Sequence, residues 1–461
     1  MDKGKLSMKE AEVGNTISMI KEIRYMSLKE INILPKSNLF KRLLFLYLQK
    51  NRRKMKLTKI ITLGMVGLSV FAAAQQDKKE KISDKNLKKN LYFLASDKLE
   101  GRLAGSESEK KSTQFLYKNL KSYGLKSEIV PFEYTIRLDK NSEVLTKIFS
   151  RNVVGYLDNG AKQTIIIGAH YDHLGYNEHH NSTMPEATGQ IHNGADDNAS
   201  GVSAVLELAR IFSQNKTKEN ANFIFVLFSG EEDGLMGSKY FAEGVKSKYP
   251  NPIAMINLDM VGRLDNHKNL TIGGIGTSPL FQKIVEKFKP EGMQLALDNA
   301  GQGPSDHTSF YLQDIPVLFF FTGIHPDYHK PTDDAQKINY EGLKIITKYV
   351  FDVAKELTYF PQVPFTKTTI QKEQMPEWRV SMGVMPSLAT GTNGMKIEGV
   401  TEGKPAYKAG IMQGDVLKKL DDCTVEDIYS YTKCLSKYKV KDTAEATIQR
   451  GDKIIIVKLQ F

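Results

Sequence analysis

Stretches of consecutive apolar residues alternate with helix-forming segments through most of the chain, and this alternation limits the folds it can adopt. Residues 165–167 and 223–228 are apolar at every position. Such strands are typical of a sheet covered on both faces, because a strand with one face in water alternates polar and apolar residues. We therefore predict an α/β fold, with a mostly parallel sheet flanked by helices.

The predicted elements continue this alternation over residues 85–358, which we interpret as one domain. Its strands are predicted at residues 127–135, 144–157, 164–167, 222–228, 253–257, 270–272 and 316–321. Its helices are predicted at residues 86–95, 107–123, 201–214, 235–248, 279–288, 305–312 and 340–358. Residues 359–377 are rich in proline and threonine, which predicts a linker. Residues 378–461 are predicted to form a small β-rich domain with one helix near residues 425–437.

Positive charge is concentrated at the beginning of the chain. The formal net charge is +11, and residues 1–54 hold 13 Lys and Arg against 5 Asp and Glu. Two more lysines fall within residues 55–59, so the body of the protein is nearly neutral. A neutral body lacks the basic surface that binds phosphates, and we expect no nucleic-acid partner.

A basic stretch, an apolar run and three alanines follow one another at residues 55–59, 60–71 and 72–74. This order is typical of a secretory signal peptide, and the apolar run is too short to span a bilayer. We predict a signal peptide at residues 55–74, export to the periplasm or the extracellular space, and no stable membrane span in the mature chain. Residues 1–54 would then be upstream sequence or a mis-called leader. A membrane anchor and an unusually long leader are the alternatives.

Polar residues follow the predicted strands, and all nine histidines fall between His170 and His329. Because the carboxyl ends of parallel strands meet at one edge of a sheet, we expect the residues that follow them to lie together. Imidazole and carboxylate groups without thiolates suit zinc or a similar divalent ion. Of the adjacent pair Glu231 and Glu232, one can bind a metal while the other accepts a proton. The candidate residues are His170, Asp172, Asp197, Glu231, Glu232, Asp259 and His329.

These residues stand in motifs that resemble those of the M28 family of zinc peptidases. The motifs are His-x-Asp at 170–172, GADDNASG at 194–201, SGEE at 229–232, NLDM at 257–260 and Tyr-His at 328–329. The segment LASDKLEGRLAG at 94–105 also resembles the N-terminal region of this family. The resemblance implies a phosphorylase/hydrolase-like zinc peptidase fold, peptide substrates and, most simply, an aminopeptidase that hydrolyses N-terminal peptide bonds through a water activated by two zinc ions.

The resemblance also implies a role for each residue. His170 and Asp259 would bind one zinc ion, Glu232 and His329 the other, and Asp197 would bridge them. Glu231 would be the general base and Asp172 would orient His170, with a cis peptide bond after Asp197. Tyr328, Asp306 and His307 are candidates for substrate binding, although residues 305–307 could equally cap a helix. The histidines between His170 and Asp197, which are His173, His179, His180 and His192, are interpreted as a rim or an adventitious metal site.

Other activities fit the same resemblance. A glutaminyl cyclase-like or a carboxypeptidase or dipeptidase activity is possible on this fold, as is a non-catalytic protein that binds peptides through its second domain. Glutaminyl cyclases of this fold bind one zinc ion and lack the first histidine, whereas His170 is present here. The complete ligand set and Glu231 disfavour the non-catalytic alternative.

The sequence PAYKAGIMQGDVL at 405–417 resembles a PDZ domain. PDZ domains capture peptide C-termini by strand addition, and the loop Ser381, Met382, Gly383 and Val384 is the candidate for binding the peptide carboxylate. A docking or stabilising role without peptide binding is the alternative. The two cysteines, Cys423 and Cys434, are too few for a disulfide framework. An exported protein could join them, but their separation across a predicted helix start disfavours a disulfide.

Overall fold

The apolar runs form the centre of an eight-stranded sheet in the computed structural model, which describes residues 81–138, 144–215, 217–368, 380–386, 394–401, 403–426 and 428–461. Residues 1–54, the predicted signal peptide and residues 369–377 of the predicted linker lie outside these ranges. The strands of the sheet are β1 Lys126–Ile136, β2 Thr146–Leu157, β3 Thr164–His170, β4 Asn222–Phe228, β5 Pro252–Leu258, β6 Asn269–Gly273, β7 Gln294–Leu297 and β8 Val317–Phe321.

The sheet has the order β1-β2-β4-β3-β5-β8-β6-β7. Its four central strands, β4, β3, β5 and β8, are mutually parallel, whereas β1, β2 and β6 join through antiparallel pairs. Every residue of these four central strands is buried. The predicted α/β class with a mostly parallel sheet is confirmed. β7 was not predicted, since its four partly exposed residues carry no distinctive pattern.

Helices cover both faces of this sheet, as continuous apolar strands require. Side chains of α3 and α7 pack on one face with Ile165 and Ile167, and those of α4 and α6 pack on the other with Ile166. The helices are α1 Asp84–Leu94, α2 Glu107–Ser122, α3 Gly201–Gln214, α4 Met236–Lys248, α5 Phe281–Phe288, α6 His307–Tyr311 and α7 Tyr340–Leu357. Shorter turns of helix lie at Asp97–Arg102, Pro185–Ala187, Ala195–Ser200, Ile275–Thr277 and Ala335–Lys337. In the described part of the chain, no helix combines the length and the apolar character needed to cross a membrane.

The C-terminal domain is an antiparallel sheet of the order β14-β13-β11-β10-β9, with β12 paired to β11. Two helices accompany it where one was predicted. The additional helix, α8, is short and begins at Pro405, whose fixed φ and missing N–H suit a first helical position. The elements are β9 Val384–Pro386, β10 Met395–Val400, α8 Pro405–Lys408, β11 Val416–Leu420, β12 Cys423–Thr424, α9 Ile428–Leu435, β13 Thr443–Arg450 and β14 Lys453–Gln460.

A disulfide joins Cys423 to Cys434, so the sequence-based expectation against it was wrong. Cys423 lies on β12, and Cys434 lies near the end of α9. The chain reverses between these two elements, which brings the two Cα atoms to 5.7 Å, within the range that a disulfide spans. Separation along the sequence was a poor guide because the reversal depends on how α9 packs against β12.

Candidate metal centre

Four neighbouring strands bring the predicted ligands to one edge of the large sheet. His170 is the last residue of β3, and Asp259 directly follows β5. The turn after β4 carries Glu231 and Glu232, and the loop after β8 carries His329. Because these four strands are parallel neighbours, their carboxyl ends lie side by side.

Asp197 joins this group from the turn that precedes α3. The peptide bond between Asp197 and Asn198 is cis, as the resemblance implied. The Asn198 side chain fixes the turn, since Nδ2 donates to the carbonyl of Leu258 at 3.0 Å and Oδ1 accepts from the N–H of Gly201 at 3.0 Å. Asp333 accepts the backbone N–H of Asp197 at 3.1 Å. The Asp197 backbone is thus held where β5 ends.

The two carboxylate oxygens of Asp197 face different histidines. Oδ1 lies 3.3 Å from Nε2 of His170, and this nitrogen also lies 3.3 Å from Oδ1 of Asp259. Oδ2 lies 3.1 Å from Nε2 of His329, and this nitrogen lies 3.0 Å from Oε2 of Glu232. The five side chains therefore form two groups of three, and Asp197 belongs to both.

The spacing within each group suits a zinc ion. Atoms that bind one ion at 2.0–2.2 Å lie about 3.0–3.5 Å apart, which matches the 3.0–3.3 Å contacts to the histidine nitrogens. The other ring nitrogens approach carbonyl oxygens: Nδ1 of His170 lies 3.3 Å from that of Asp172, and Nδ1 of His329 lies 2.9 Å from that of Asn181. This arrangement leaves both Nε2 atoms free to bind a metal.

Negative charge exceeds positive charge in this centre. Burial alone would raise the pKa of Asp197, but hydrogen bonds from His170 and His329 hold it well below its usual range. Burial likewise opposes ionisation of Glu232, yet its pKa falls to about 2 beside His329. Asp259 and Glu231 add further carboxylates, so a divalent cation would neutralise charge that the protein itself leaves uncompensated.

Glu231 lies beside the two groups rather than within either. Ligand-type atoms of His170, Glu231 and Glu232 lie within 4.8 Å of one another. Burial raises the pKa of Glu231 well above its ordinary value; His170 opposes this rise, while the carboxylates of Glu232 and Asp306 add to it. A carboxylate whose pKa is raised accepts protons more readily near neutral pH.

Asp172 contacts different partners from those expected. Its carboxylate oxygen lies 3.6 Å from Nδ1 of His170, farther than its own carbonyl oxygen. The carboxylate instead accepts the backbone N–H groups of Glu231 and Glu232 at 3.2 and 3.3 Å. Asp172 therefore connects the end of β3 to the turn after β4, in addition to facing His170.

The three candidates for substrate binding occupy different environments. The ring of Tyr328 stacks on that of His329 with 3.9 Å between centroids. Asp306 is buried beside the centre, and burial raises its pKa to about 7. His307 is also buried, but its ring stacks on Phe319 and burial lowers its pKa to about 3. Tyr328 and Asp306 are thus near the centre, and His307 is a packing residue.

Arg102 has a position that the sequence did not assign. Its side chain is fully buried, and Nε donates to the carbonyl of Tyr171 at 2.7 Å. Its terminal nitrogens donate to the carbonyls of Asn193 at 2.7 Å and Gly194 at 3.0 Å. Arg102 thereby fastens the segment after His170 to the segment before Asp197. Its place in the family-like motif at 94–105 was the signal available in the sequence.

The long loop between His170 and Asp197 is packed into the centre more deeply than a rim would be. His173 is fully buried, and its Nδ1 lies 2.8 Å from Oε1 of Glu232. Of the other histidines of this loop, His179 contacts Asp233 and His192 contacts Ser182. His180 is exposed. The interpretation of His173 as a rim residue was therefore wrong, whereas that of a metal site stays a prediction, since ligand-type atoms of His173, Asp197 and Glu232 lie within 4.8 Å of one another.

The candidate carboxylate loop leads into β9. Gly383 has φ +73°, a conformation that favours glycine. Its N–H donates to Oγ of Ser381 at 3.0 Å, and the carbonyl of the buried Met382 accepts from Ala406 at 2.9 Å. Val384 begins β9, which pairs with β10. The loop thus leads directly into a strand of the C-terminal sheet, and its role in binding a carboxylate stays a prediction.

Comparison with known protein families divides the chain as the fold does. Residues 152–354 match the model of peptidase family M28, and residues 380–460 match that of the PDZ domain. The chain therefore carries an M28 peptidase domain followed by a PDZ domain.

Two curated relatives illustrate the similarity. A probable leucine aminopeptidase of Arthroderma otae is 27% identical over 229 residues, which are 46% of this chain and 58% of the relative. A probable zinc metalloprotease of Pyrenophora teres f. teres is 45% identical over 97 residues, which are 21% of this chain and 19% of the relative. The aligned part thus spans just over half of the first relative and a fifth of the second.

Two solved structures share the fold. LapB from Legionella pneumophila has a TM-score of 0.50 at 21% identity, covering 62% of this chain and 75% of LapB. The glutaminyl cyclase of Porphyromonas gingivalis has a TM-score of 0.50 at 19% identity, covering 60% of this chain and 98% of the cyclase. At these identities the likeness establishes the fold alone.

Proposed function

We propose that this chain, with its M28 peptidase domain and its PDZ domain, is a zinc-dependent aminopeptidase that binds two zinc ions and hydrolyses N-terminal peptide bonds. The observation that carries the proposal is that the two carboxylate oxygens of Asp197 each complete a separate group of ligands. His170 and Asp259 would hold one ion, and Glu232 and His329 the other. A single-ion site would not need a carboxylate shared in this way.

Zinc in such a centre polarises the substrate carbonyl and makes water a stronger nucleophile near neutral pH. The chain's own part in the reaction is proton transfer and orientation. Glu231 accepts the proton of the attacking water and returns it to the leaving amine. Tyr328 is the candidate for contacting the substrate, which the packing of its ring on that of His329 supports. Asp172 keeps Glu231 in position by accepting its backbone N–H.

Aminopeptidase activity is favoured over the alternatives by the relatives and by the site together. The curated relatives include probable leucine aminopeptidases. The fold is shared with a glutaminyl cyclase, so a cyclase is the second candidate. His170 favours the peptidase because it completes the group with Asp197 and Asp259.

The test is hydrolysis of a panel of aminoacyl-nitroanilides by wild-type protein and Glu231→Gln, with zinc measured in both. Glu231→Gln removes the base and leaves the five proposed ligands, so we expect the rate to fall roughly 10²–10⁴-fold while two zinc ions per chain remain. Glu291→Gln, at an exposed position, is the matched control. A single zinc ion per chain without nitroanilide hydrolysis, and with cyclisation of N-terminal glutamine instead, would favour the cyclase.

We further propose that the protein is exported and that its PDZ domain binds peptide C-termini. The basic, apolar and small-residue order at 55–74 supports export, as does the Cys423–Cys434 disulfide, since disulfides persist in oxidising compartments. Sequencing the N-terminus of the mature protein tests export, because retention of residues 55–74 would contradict it. Titration with peptides that have free or amidated C-termini tests the PDZ domain, and equal binding of both would contradict capture of the carboxylate.

A further inference from the structure

The imidazole of His173 is held rigidly inside the metal centre. The side chain is fully buried, and the residue's backbone N–H donates to the carbonyl of Arg102 at 3.3 Å. Gly194 lies against the ring so closely that a Cβ at this position would come within 2.5 Å of two ring atoms. Since Arg102 also holds the carbonyl of Gly194, the ring of His173 has one well-defined place.

The two carboxylate oxygens of Glu232 each lie next to a different histidine. Oε2 lies 3.0 Å from Nε2 of His329, within the proposed second metal group. Oε1 lies 2.8 Å from Nδ1 of His173, a hydrogen-bond distance. The same nitrogen lies 3.9 Å from Oδ2 of Asp197, too far for a hydrogen bond. His173 therefore contacts Glu232 on the oxygen that faces away from the second histidine ligand.

The surroundings of His173 decide which nitrogen carries the proton. Within the described part of the chain, Nε2 is buried and has no hydrogen-bond partner. A proton on Nε2 would leave a buried donor unpaired and would set the lone pair of Nδ1 against a carboxylate oxygen, both of which are unfavourable. A proton on Nδ1 satisfies Oε1 of Glu232 and leaves only an unused lone pair on Nε2. The Nδ1–H tautomer is the one that the site accommodates.

We infer that His173 is a positioning residue that donates its Nδ1–H to Oε1 of Glu232 and so presents Oε2 alone to the second zinc ion. This inference rests on the proposed two-zinc site and deepens it. Hydrogen bonds to metal-binding carboxylates fix their orientation, and their loss typically lowers metal affinity about 10–100-fold. In the first group, the second oxygen of Asp259 accepts from Ser305, and His173 has no part in that contact. The effect of His173 is therefore expected at one zinc ion only.

Two substitutions separate this role from a merely structural one. His173→Leu keeps a buried side chain of similar bulk and removes the donor. His173→Asn places an amide nitrogen near the position of Nδ1 and keeps the donor. The exposed His180, on the same loop, provides the control His180→Leu. Thermal unfolding of each zinc-free variant shows whether the fold is retained.

The measurement is stepwise zinc removal by a competing chelator, with the affinities of the two ions determined separately. For His173→Leu we expect one affinity to fall about 10–100-fold and the other to stay unchanged, with His173→Asn and His180→Leu close to wild type. Equal weakening of both ions would overturn the inference, because it would indicate a general structural effect. Weakening in His173→Asn as large as that in His173→Leu would overturn it too, since the donor would then not be the cause.

A second measurement does not depend on zinc stoichiometry. In the zinc-free protein, nitrogen NMR of the histidine rings identifies the signal of His173 as the one lost in His173→Leu. We expect a hydrogen-bonded proton on Nδ1, and a proton on Nε2 would contradict the inference. Failure of the proposed function would appear differently, as wild-type protein that holds fewer than two zinc ions or hydrolyses no peptide bond.

Discussion

Buried carboxylates have different charged partners in the two domains. In the PDZ domain, the side chain of Asp415 is 1% exposed, and its two oxygens accept hydrogen bonds from Nε and a terminal nitrogen of Arg450, each at 2.7 Å. In the peptidase domain, Asp197, Asp259 and Glu232 face three histidines and one another. None of the ion pairs found among the described residues joins these three carboxylates to lysine or arginine.

The difference indicates what each carboxylate is for. A buried charge that an arginine neutralises within the chain is part of the structure, and it needs nothing from outside. Several buried carboxylates without such a partner repel one another, and a bound cation relieves that repulsion. The first kind should therefore contribute to stability with or without the metal. The second kind should contribute most to stability when the metal is present.

The largest test of this comparison is Asp197→Ala, which removes the residue shared by both groups. Wild-type protein should gain about 2.7 kcal/mol of unfolding free energy from each ion when free zinc is 100-fold above its Kd. The variant should gain little from zinc. Without zinc it should be less stable than zinc-free wild type, because His170 and His329 hold the pKa of Asp197 well below its usual range, and a carboxylate whose pKa is lowered in the folded state stabilises the fold. Calorimetry of the peptidase-domain transition, with and without zinc, gives both quantities.

The exposed Glu291→Ala is the control for Asp197→Ala, since it removes a carboxylate that has no part in either group. It should leave the stabilisation by zinc as it is in wild type. An Asp197→Ala protein that zinc stabilises as strongly as wild type would show that Asp197 is not the shared ligand.

Four of the candidate ligands could be located from the sequence because each follows a strand whose apolar run is visible on its own, whereas Asp197 precedes α3. His170 and Asp259 stand at strand ends that periodicity alone locates. Arg102 and His173 could not be assigned in the same way. Arg102 acts on carbonyls 69 to 92 residues away, and His173 contacts a glutamate 59 residues away. Such contacts depend on how separate loops fold together, which local patterns do not record.

The PDZ domain shows the same limit at shorter range. Its β-rich character and the helix α9 were predicted, but the pairing of Cys423 with Cys434 was not. Asp415 stands in the motif at 405–417 that resembles a PDZ domain, yet its partner Arg450 lies 35 residues away in β13. The motif thus identified the domain without revealing which charge neutralises the buried carboxylate.

Asp415→Asn is the second test of the comparison, and its effect, unlike that of Asp197→Ala, should not depend on zinc. The substitution keeps the shape of the side chain and removes its charge. We expect the PDZ domain to lose about 1–3 kcal/mol of unfolding free energy, with or without zinc. A larger loss is not expected because the Arg450 side chain is 35% exposed, and water can solvate its charge when the partner is removed. Asp452→Asn, at an exposed position, is the control, and an Asp415→Asn domain as stable as this control would contradict the structural role.

The smallest and most specific effect that we expect is the pH dependence of the stability that Asp415 contributes through its pairing with Arg450. Burial alone would raise the pKa of Asp415, but the hydrogen bonds from Arg450 and from the N–H of Met412 outweigh it and lower the pKa below 3.8. A carboxylate whose pKa is lower in the folded state stabilises the fold fully above its unfolded pKa, and this contribution is lost as the pH falls through the folded value. The stability difference between wild type and Asp415→Asn should therefore be constant from pH 7 to about pH 5 and shrink below pH 4. Denaturant unfolding of the PDZ domain at a series of pH values measures it, and a difference that grows on acidification would mean that burial, rather than Arg450, dominates the pKa of Asp415.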